Sequence, residues 1–316
     1  MIELKDVTKR YGDQTAVDHL SMTINDGEMV TLVGESGCGK STTLRMINRL
    51  IESDEGTITI DGKDVRSFKP EELRRGIGYA IQNTGLFPHM TVRENISVVP
   101  KLLKWKEAET LERVKELLTL VGLDPVKYIN KYPNELSGGE AQRVGVARAL
   151  AVNPQIILMD EPFGAVDPIN RAVLQDEFLR IQQQLKTTVI FVTHDIDEAM
   201  KMGNRIAIMA NGRIQCFDTP ERVILSDNAF VRKFLGKESY IRVLTKFDVC
   251  DVASRETVVL TPETVTVPAS LNLRDAFGIM LEEGSEELPV VDENGEPIGV
   301  LRVSDVVRVY TGAEKG

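Results

Sequence analysis

The segment 29-MVTLVGESGCGKSTTLRMINRL-50 holds the most specific pattern in the chain. An apolar, strand-like run gives way to Gly34-Glu35-Ser36-Gly37-Cys38-Gly39-Lys40-Ser41, and a helix-like stretch follows. These eight residues fit G-x-x-x-x-G-K-S/T in the context the pattern requires, after a buried strand and before a helix. Glycines let successive backbone N–H groups curl around phosphate oxygens, and the positive end of the following helix adds to the attraction. Lys40 is placed for the β- and γ-phosphates and the Ser41 hydroxyl for Mg²⁺. Thr42, one residue on, is in reach of the α-phosphate. Strand, phosphate loop and helix in this order open an α/β fold with a parallel sheet.

A magnesium nucleotide needs a further carboxylate. "IILMDE" ends in Asp160 and Glu161 at the C-terminal edge of an apolar strand, where open α/β sheets bind ligands. Asp160 is expected to hold the metal through water, and Glu161 to orient and polarise the attacking water as general base. "TVIFVTHD" ends in a similar place and puts His194 within reach of the γ-phosphate and that water. "NELSGGEAQRVGVARALA", from Asn134 to Ala151, raises a different question. Ser137 and Glu140 form a capping box, so a helix starts there. Gly138 and Gly139 nevertheless occupy its first turn, each weakening it by roughly 1 kcal/mol against alanine. A helix start kept this bare suits close approach by another group.

Composition narrows the classes. The 316 residues are 42% hydrophobic and 27% charged, as in a soluble two-domain protein. The net charge of −10 argues against nucleic acid as a partner, because phosphate backbones are bound by concentrated Lys and Arg. Cys38, Cys216 and Cys250 are odd in number and widely spaced, with no disulfide framework or zinc pattern. The first residues lack the apolar core of a signal peptide, and runs such as "IILM" and "VIFV" fall far short of the ~20 residues that span a bilayer. The expectation is a cytosolic chain that meets a membrane only through a partner. Along the chain, the opening ~30 residues and "GTITIDGKDV", with Asp61-Gly62 as its turn, read as antiparallel strands. Leu111, Val114, Leu117, Leu118 and Val121 give helical spacing between Trp105 and Leu123. A polar linker is expected near Leu235 to Thr245. The last ~70 residues read strand, helix, strand, strand, helix, in "ETVTVPA", "LRDAFGIMLEEG", "ELPVVDENGE", "IGVLRV" and "SDVVRVY".

Taken together, these motifs resemble the ATP-binding cassette family from Met1 to about Leu235, with "LSGGEAQR" resembling its signature motif. The resemblance implies an α/β P-loop NTPase with a parallel-sheet core, an antiparallel β subdomain and a helical subdomain at about 84–150. It implies that Ser137, Gly138 and Gly139, capped by Glu140, face the γ-phosphate of ATP held by the P-loop of a second copy. Two copies then sandwich two ATP molecules as a homodimer. Tyr11, in "KRYGDQTAV", matches the aromatic that stacks on adenine. Gln82, in "GYAIQNTGLFPHMTVREN", matches the glutamine that senses Mg²⁺ alongside Ser41 and Asp160. Asp167, in "GAVD", matches a loop that crosses the dimer interface, with Val166 where leucine is commoner. Cys38 inside the P-loop implies that a thiol reagent blocks the ATPase and that ATP protects.

"LFPHMTVREN" resembles the stretch that packs on a coupling helix of an integral-membrane permease in importers. The long coiled coil of repair relatives and the second cassette of translation relatives do not occur. "TLRMINRLIESDEGTITIDGKDV" and "EPFGAVDPINR" resemble the quaternary-amine osmoprotectant subgroup, which imports glycine betaine, carnitine, choline or proline betaine. Cargo selection there belongs to the permease and an extracellular substrate-binding protein or domain, so another betaine such as ergothioneine stays open. The resemblance implies a peripheral subunit at the cytoplasmic face of the membrane. A nucleotide-sensing cassette regulator is the opposing reading. Residues 236–316 resemble a linker plus a single α+β CBS domain, clearest in "ELPVVDENGEPIGVL". CBS units work in pairs, so this copy is expected to pair with that of another subunit, with or without a nucleotide in the cleft. Many CBS nucleotide sites carry Ser or Thr three residues before a final Asp. Here Arg302 stands at that distance from Asp305, and Ser304 is displaced.

Overall fold

The structure, a computed structural model, describes residues 1–81, 85–224, 226–236, 244–256 and 264–311. It divides into two compact units, Met1–Asp218 and Thr219–Gly316. In the first, β1 (Ile2–Tyr11) and β2 (Gln14–Ile24) form a hairpin, β3 (Met29–Gly34) runs into the phosphate loop, and α1 (Lys40–Ile47) leaves it. β4 (Glu55–Ile60) and β5 (Lys63–Asp64) follow, then α2 (Pro70–Arg75) and β6 (Ile77–Ala80). A helical stretch comes next: α3 (Val92–Ile96), α4 (Val98–Leu102), α5 (Glu107–Leu120), α6 (Pro125–Tyr128) and α7 (Gly138–Ala149). The unit closes with β7 (Ile156–Asp160), α8 (Pro168–Leu185), β8 (Thr188–Thr193), α9 (Ile196–Met202), β9 (Arg205–Ala210) and β10 (Arg213–Asp218).

Two sheets organise these elements. One is antiparallel, in the order β2-β1-β4-β5, and its expected turn is present with Asp61 and Gly62 both at positive φ, as a tight hairpin turn demands. The other has the order β10-β9-β3-β8-β7-β6; its inner strands are parallel and β10 is the antiparallel edge. β3, β7 and β8 are buried along their whole length, which explains why each reads as a continuous apolar run. Alternation along the strands divides two cores. Val30, Leu32, Leu158, Ile190 and Val192 pack with the antiparallel sheet and α1. Met29, Ile157, Met159, Val189 and Phe191 pack with α3, α5, α7 and α8. The α/β core, the antiparallel β subdomain and the helical subdomain are thus all present.

The register places the chemistry. Val33 pairs with Thr193 and Asp160 with Val192, so β3, β7 and β8 end flush at one edge of the sheet. The phosphate loop, Asp160-Glu161 and His194 all leave from that edge, where ligands bind in open α/β sheets.

The second unit contains α10 (Pro220–Ile224), α11 (Ala229–Leu235), α12 (Val249–Val252), β11 (Val267–Pro268), α13 (Leu273–Glu283), β12 (Glu287–Val291), β13 (Pro297–Arg302) and α14 (Val303–Thr311). Among the described residues, the strand expected over "ETVTVPA" pairs only at Val267–Pro268, parallel to β12, and β12 pairs antiparallel with β13. Leu288, Val290 and Leu301 from this sheet meet Leu273, Ala276 and Met280 of α13 in a small core of their own. Most of the expected linker, 237–243, lies outside the described residues.

Candidate active site

The phosphate loop is held in one shape by close backbone packing. Gly39 has φ 106°, and a Cβ there would lie 2.5 Å from the Ala16 carbonyl. No side chain larger than hydrogen fits, and the start of β2, just beyond Tyr11, is thereby pressed against the loop. Glu35, Ser36 and Gly37 are exposed, while Cys38, Gly39 and Lys40 are buried. Lys40 Nζ donates to the carbonyls of Gly34 at 2.6 Å and Glu35 at 2.9 Å, so the ammonium sits under the loop. α1 begins at Lys40 with no side-chain cap and no acidic residue in its first turn. The N–H groups of Lys40, Ser41 and Thr42 therefore have no intrahelical acceptor and no competing negative charge, which is the condition for binding an anion.

Ser41 Oγ donates to Asp160 Oδ1 at 2.9 Å across 119 residues of sequence. Asp160 is 3% exposed. Desolvation pushes its carboxyl above the usual carboxylate range, Glu161 adds to the push, and the Ser41 hydrogen bond, Arg45 and Lys40 oppose it. A half-buried hydroxyl beside a buried carboxylate is an all-oxygen donor set, and such sets suit Mg²⁺ held by one carboxylate plus substrate phosphates. Among the described residues no cluster of three His, Cys, Asp or Glu that could hold a metal ion is present. Gln82 lies outside the described residues.

Glu161 follows Asp160 with φ 48°, a left-handed conformation uncommon for glutamate and found where surroundings hold strain at functional sites. Its backbone N–H donates to Val192 O at 3.0 Å and its carbonyl accepts from Gly164 N at 3.2 Å. This turn brings Glu161 Oε2 to 3.2 Å from His194 Nδ1. Carboxylate and imidazole, from adjacent strands, meet beside the Ser41–Asp160 pair. Tyr11, at the end of β1, is half exposed, with Lys9 Nζ 5.5 Å from its ring centroid, and its open face suits a planar base. Cys38 is 5% exposed with its Sγ 3.6 Å from Lys40 Nζ, so its thiol is shielded from solvent in this conformation.

The "LSGGEAQR" segment forms the start of α7 as expected. Ser137 Oγ accepts from Glu140 N at 3.3 Å and Glu140 Oε2 accepts from Ser137 N at 2.7 Å. Tyr128 Oη donates to Glu140 Oε1 at 2.5 Å; that bond, with the Ser137 backbone, holds the Glu140 carboxyl down at about 2. The two glycines differ. A Cβ on Gly139 would sit 3.2 Å from Ala165 O, so its smallness already serves packing within the chain, whereas a Cβ on Gly138 meets only Ala165 Cβ at 3.8 Å. Asp167 caps α8: its Oδ1 accepts from Asn170 N at 3.1 Å, and its carboxyl is held low chiefly by the Asn170 side chain.

The sequence reading gave no role to three polar groups that matter here. Gln142 bridges Glu161 and Ala165, Arg171 Nη2 donates to Val166 O at 3.0 Å, and Arg148 Nη1 donates to Gly85 O at 2.7 Å. Gln142 carried one signal. It lies four residues after Gly138, hence on the same helix face. In the second unit Asp305 is 2% exposed and its Oδ2 accepts from Arg302 N at 3.0 Å, while the Arg302 guanidinium pairs with Glu256 at 2.9 and 2.6 Å.

Comparison with known proteins places the chain in a family. The ABC transporter profile matches residues 17–164 and the CBS domain profile residues 249–312. The carnitine transport ATP-binding protein OpuCA of Listeria monocytogenes is 49% identical over 308 residues, covering 97% of this chain and 76% of that protein. The osmoprotectant import ATP-binding protein OsmV of Salmonella typhimurium is 45% identical, covering 96% of this chain and 79% of that protein. The glycine betaine uptake system ATP-binding protein YehX of Escherichia coli is 44% identical, covering 97% of this chain and 99% of that protein. Among solved structures, the ATP-binding cassette MJ0796, a dimer in a post-hydrolysis state bound to ADP and phosphate, superposes with a TM-score of 0.65 at 35% identity, over 70% of this chain and 99% of its own. With such identity over nearly its whole length, the chain belongs to the ABC transporter family, as an ATP-binding cassette followed by a CBS domain.

Proposed function

We propose that this chain is the ATP-hydrolysing subunit of an importer, coupling ATP binding and hydrolysis to uptake of a quaternary-ammonium or betaine-type osmoprotectant such as glycine betaine, carnitine or choline. The observation that carries the ATPase reading is the convergence of the Ser41–Asp160 pair, at 2.9 Å, and the Glu161–His194 pair, at 3.2 Å, beside Lys40. Lys40 and the loop amides hold phosphate; Ser41, Asp160 and Gln82 hold Mg²⁺, which when bound neutralises phosphate charge. Glu161 accepts the proton of the attacking water, and His194 positions Glu161 and contacts the γ-phosphate. Tyr11 stacks on adenine, and Glu35 to Thr42 line the phosphates.

The cassette works as a homodimer in which Ser137 and Gly138 complete the partner's site. The open Cβ side of Gly138 supports this, because none of the described residues of its own chain comes close enough to require a glycine there. An integral-membrane permease carries the solute, and an extracellular binding protein or domain selects it. Among the described residues no helix is long and apolar enough to cross a membrane, consistent with a peripheral subunit on the cytoplasmic face. The cargo class is supported by relatives named for carnitine, osmoprotectant and glycine betaine transport. Ergothioneine and a transport-free regulator are the outcomes it competes with. The CBS unit is read as a pairing module, since the Asp305 carboxylate is already engaged within its own helix start. The test is uptake of labelled glycine betaine, carnitine, choline and ergothioneine by cells with and without the chain, with Lys40→Ala as control. Loss of betaine uptake in both deficient strains supports the reading; unchanged uptake of all four solutes rejects it.

A further inference from the structure

Gln142 is buried, 6% exposed, one turn into α7. Its Oε1 accepts from Ala165 N at 2.8 Å and its Nε2 donates to Glu161 O at 3.4 Å. A primary amide is the side chain that offers a donor and an acceptor on one rigid plane, so it fixes a carbonyl and an N–H relative to each other. The two groups it joins are the backbone of the catalytic carboxylate and the Gly164–Asp167 loop. That loop is held from its far side by Arg171, whose Nη2 donates to Val166 O at 3.0 Å and whose Nη1 lies 4.0 Å from Asp195, the residue after His194. At the helix start, the missing Cβ of Gly139 lets Ala165 O approach to what would be 3.2 Å from that Cβ. The start of α7, the loop, Glu161 and His194 therefore form one continuous packed circuit, and Gln142 is its polar link. The left-handed backbone of Glu161 makes the link consequential, because a strained conformation persists only while its surroundings fix it.

We infer that Gln142 is a positioning residue that couples the two ATP sites of the dimer. The start of α7 meets phosphate bound by the partner, and Gln142 transmits the setting of α7 to this chain's own Glu161. Engagement at one site thereby prepares the base at the other. This rests on the sandwiched-dimer reading given above. The bond to Ala165 N, at 2.8 Å, tolerates a small shift, whereas the 3.4 Å contact to Glu161 O is already long, so a helix displaced by a few tenths of an ångström breaks or tightens the tie to Glu161 first.

The test is the ATP dependence of hydrolysis by the purified full chain carrying Gln142→Met, which fills a similar volume without donor or acceptor. Gln142→Glu, which keeps the acceptor for Ala165 N and loses the donor to Glu161 O, serves as companion. For Gln142→Met the expected result is a fall in kcat of about tenfold or more and a Hill coefficient reduced to near one. Binding of a fluorescent ATP analogue stays within about twofold of the parent. Gln142→Glu falls between the two. A kcat within about twofold of the parent overturns the inference. So does a lowered kcat with the parental Hill coefficient, loss of nucleotide binding in step with kcat, or failure of both variants to fold. Ser137→Arg separates the layers. If that variant hydrolyses ATP at the parental rate, or if the parent shows no cooperativity, the dimer reading itself has failed rather than the role of Gln142 within it.

Discussion

Two helix starts in this molecule are assigned to the same phosphates, and they are built in opposite ways. α1 has no side-chain cap and no acid in its first turn, and Lys40 lies buried beneath its loop. α7 is fully capped, with Ser137 and Glu140 satisfying each other and Glu140 a carboxylate down to about pH 2. A capping box meets two of the orphan N–H groups and sets a negative charge where the helix dipole is positive. What is left for an anion at α7 is little more than the Ser137 hydroxyl and the glycine amides. The contrast fits the division of labour in the proposed function: α1, uncapped, is the start built to retain a nucleotide, while α7, already capped, would offer a weaker contact that can be broken once per cycle.

The sharpest attack on that division removes the chemistry and leaves both contacts. Glu161→Gln is expected to lower hydrolysis by on the order of 10²–10⁴-fold, the worth of a general base, while ATP binding survives. ATP-bound dimers should then accumulate on gel filtration; rapid phosphate release in a single-turnover assay would disprove the assignment. Next come the two glycines of α7. Gly138→Ala should stabilise the nucleotide-free protein by about 1 kcal/mol through helix propensity while reducing ATPase activity tenfold or more. Gly139→Ala should gain less stability, because its Cβ meets Ala165 O. Denaturant titration and steady-state turnover, measured on both variants, separate a glycine kept for a partner from one kept for its own chain.

Asp160 gives a smaller effect with a definite sign. Its folded-state pKa is raised above the ordinary 3.8, so the parent loses stability as pH rises from about 4 through the raised value. Asp160→Asn should therefore melt higher than the parent at pH 7 without nucleotide, and the gap should close near pH 4. Equal melting temperatures at both pH values would show that burial of this carboxylate carries no such cost. The smallest change is expected at Tyr128→Phe, which removes the strongest partner of Glu140 at a cost of about 1 kcal/mol or less. Glu140 has a depressed pKa, so its contribution is complete above pH 4.5 and is lost as pH falls through about 2. The difference between parent and variant should shrink over that window in a pH series of melts.

Short-range patterns made much of this protein legible. The eight residues from Gly34 to Ser41, the strand ends at Asp160 and His194, and the capping box at Ser137 are local. Each is encoded by backbone freedom, strand burial or cap chemistry within a few residues, so the sequence alone determined the α/β core, the glycine-rich loop between β3 and α1, and the start of α7. The two-residue extent of β11 was not readable, because pairing depends on how much of a neighbouring strand is in register. Neither was the burial of Cys38, nor the different constraints on Gly138 and Gly139, which look identical in one dimension. The tertiary structure alone decided which polar groups meet across the chain: Ser41 with Asp160, Glu161 with His194, and Gln142 with Ala165. Those partners are separated by 119, 33 and 23 residues. Hydrogen bonds over such separations leave no periodic trace in composition, because the order and register of the strands, not the spacing of the residues, bring the groups together.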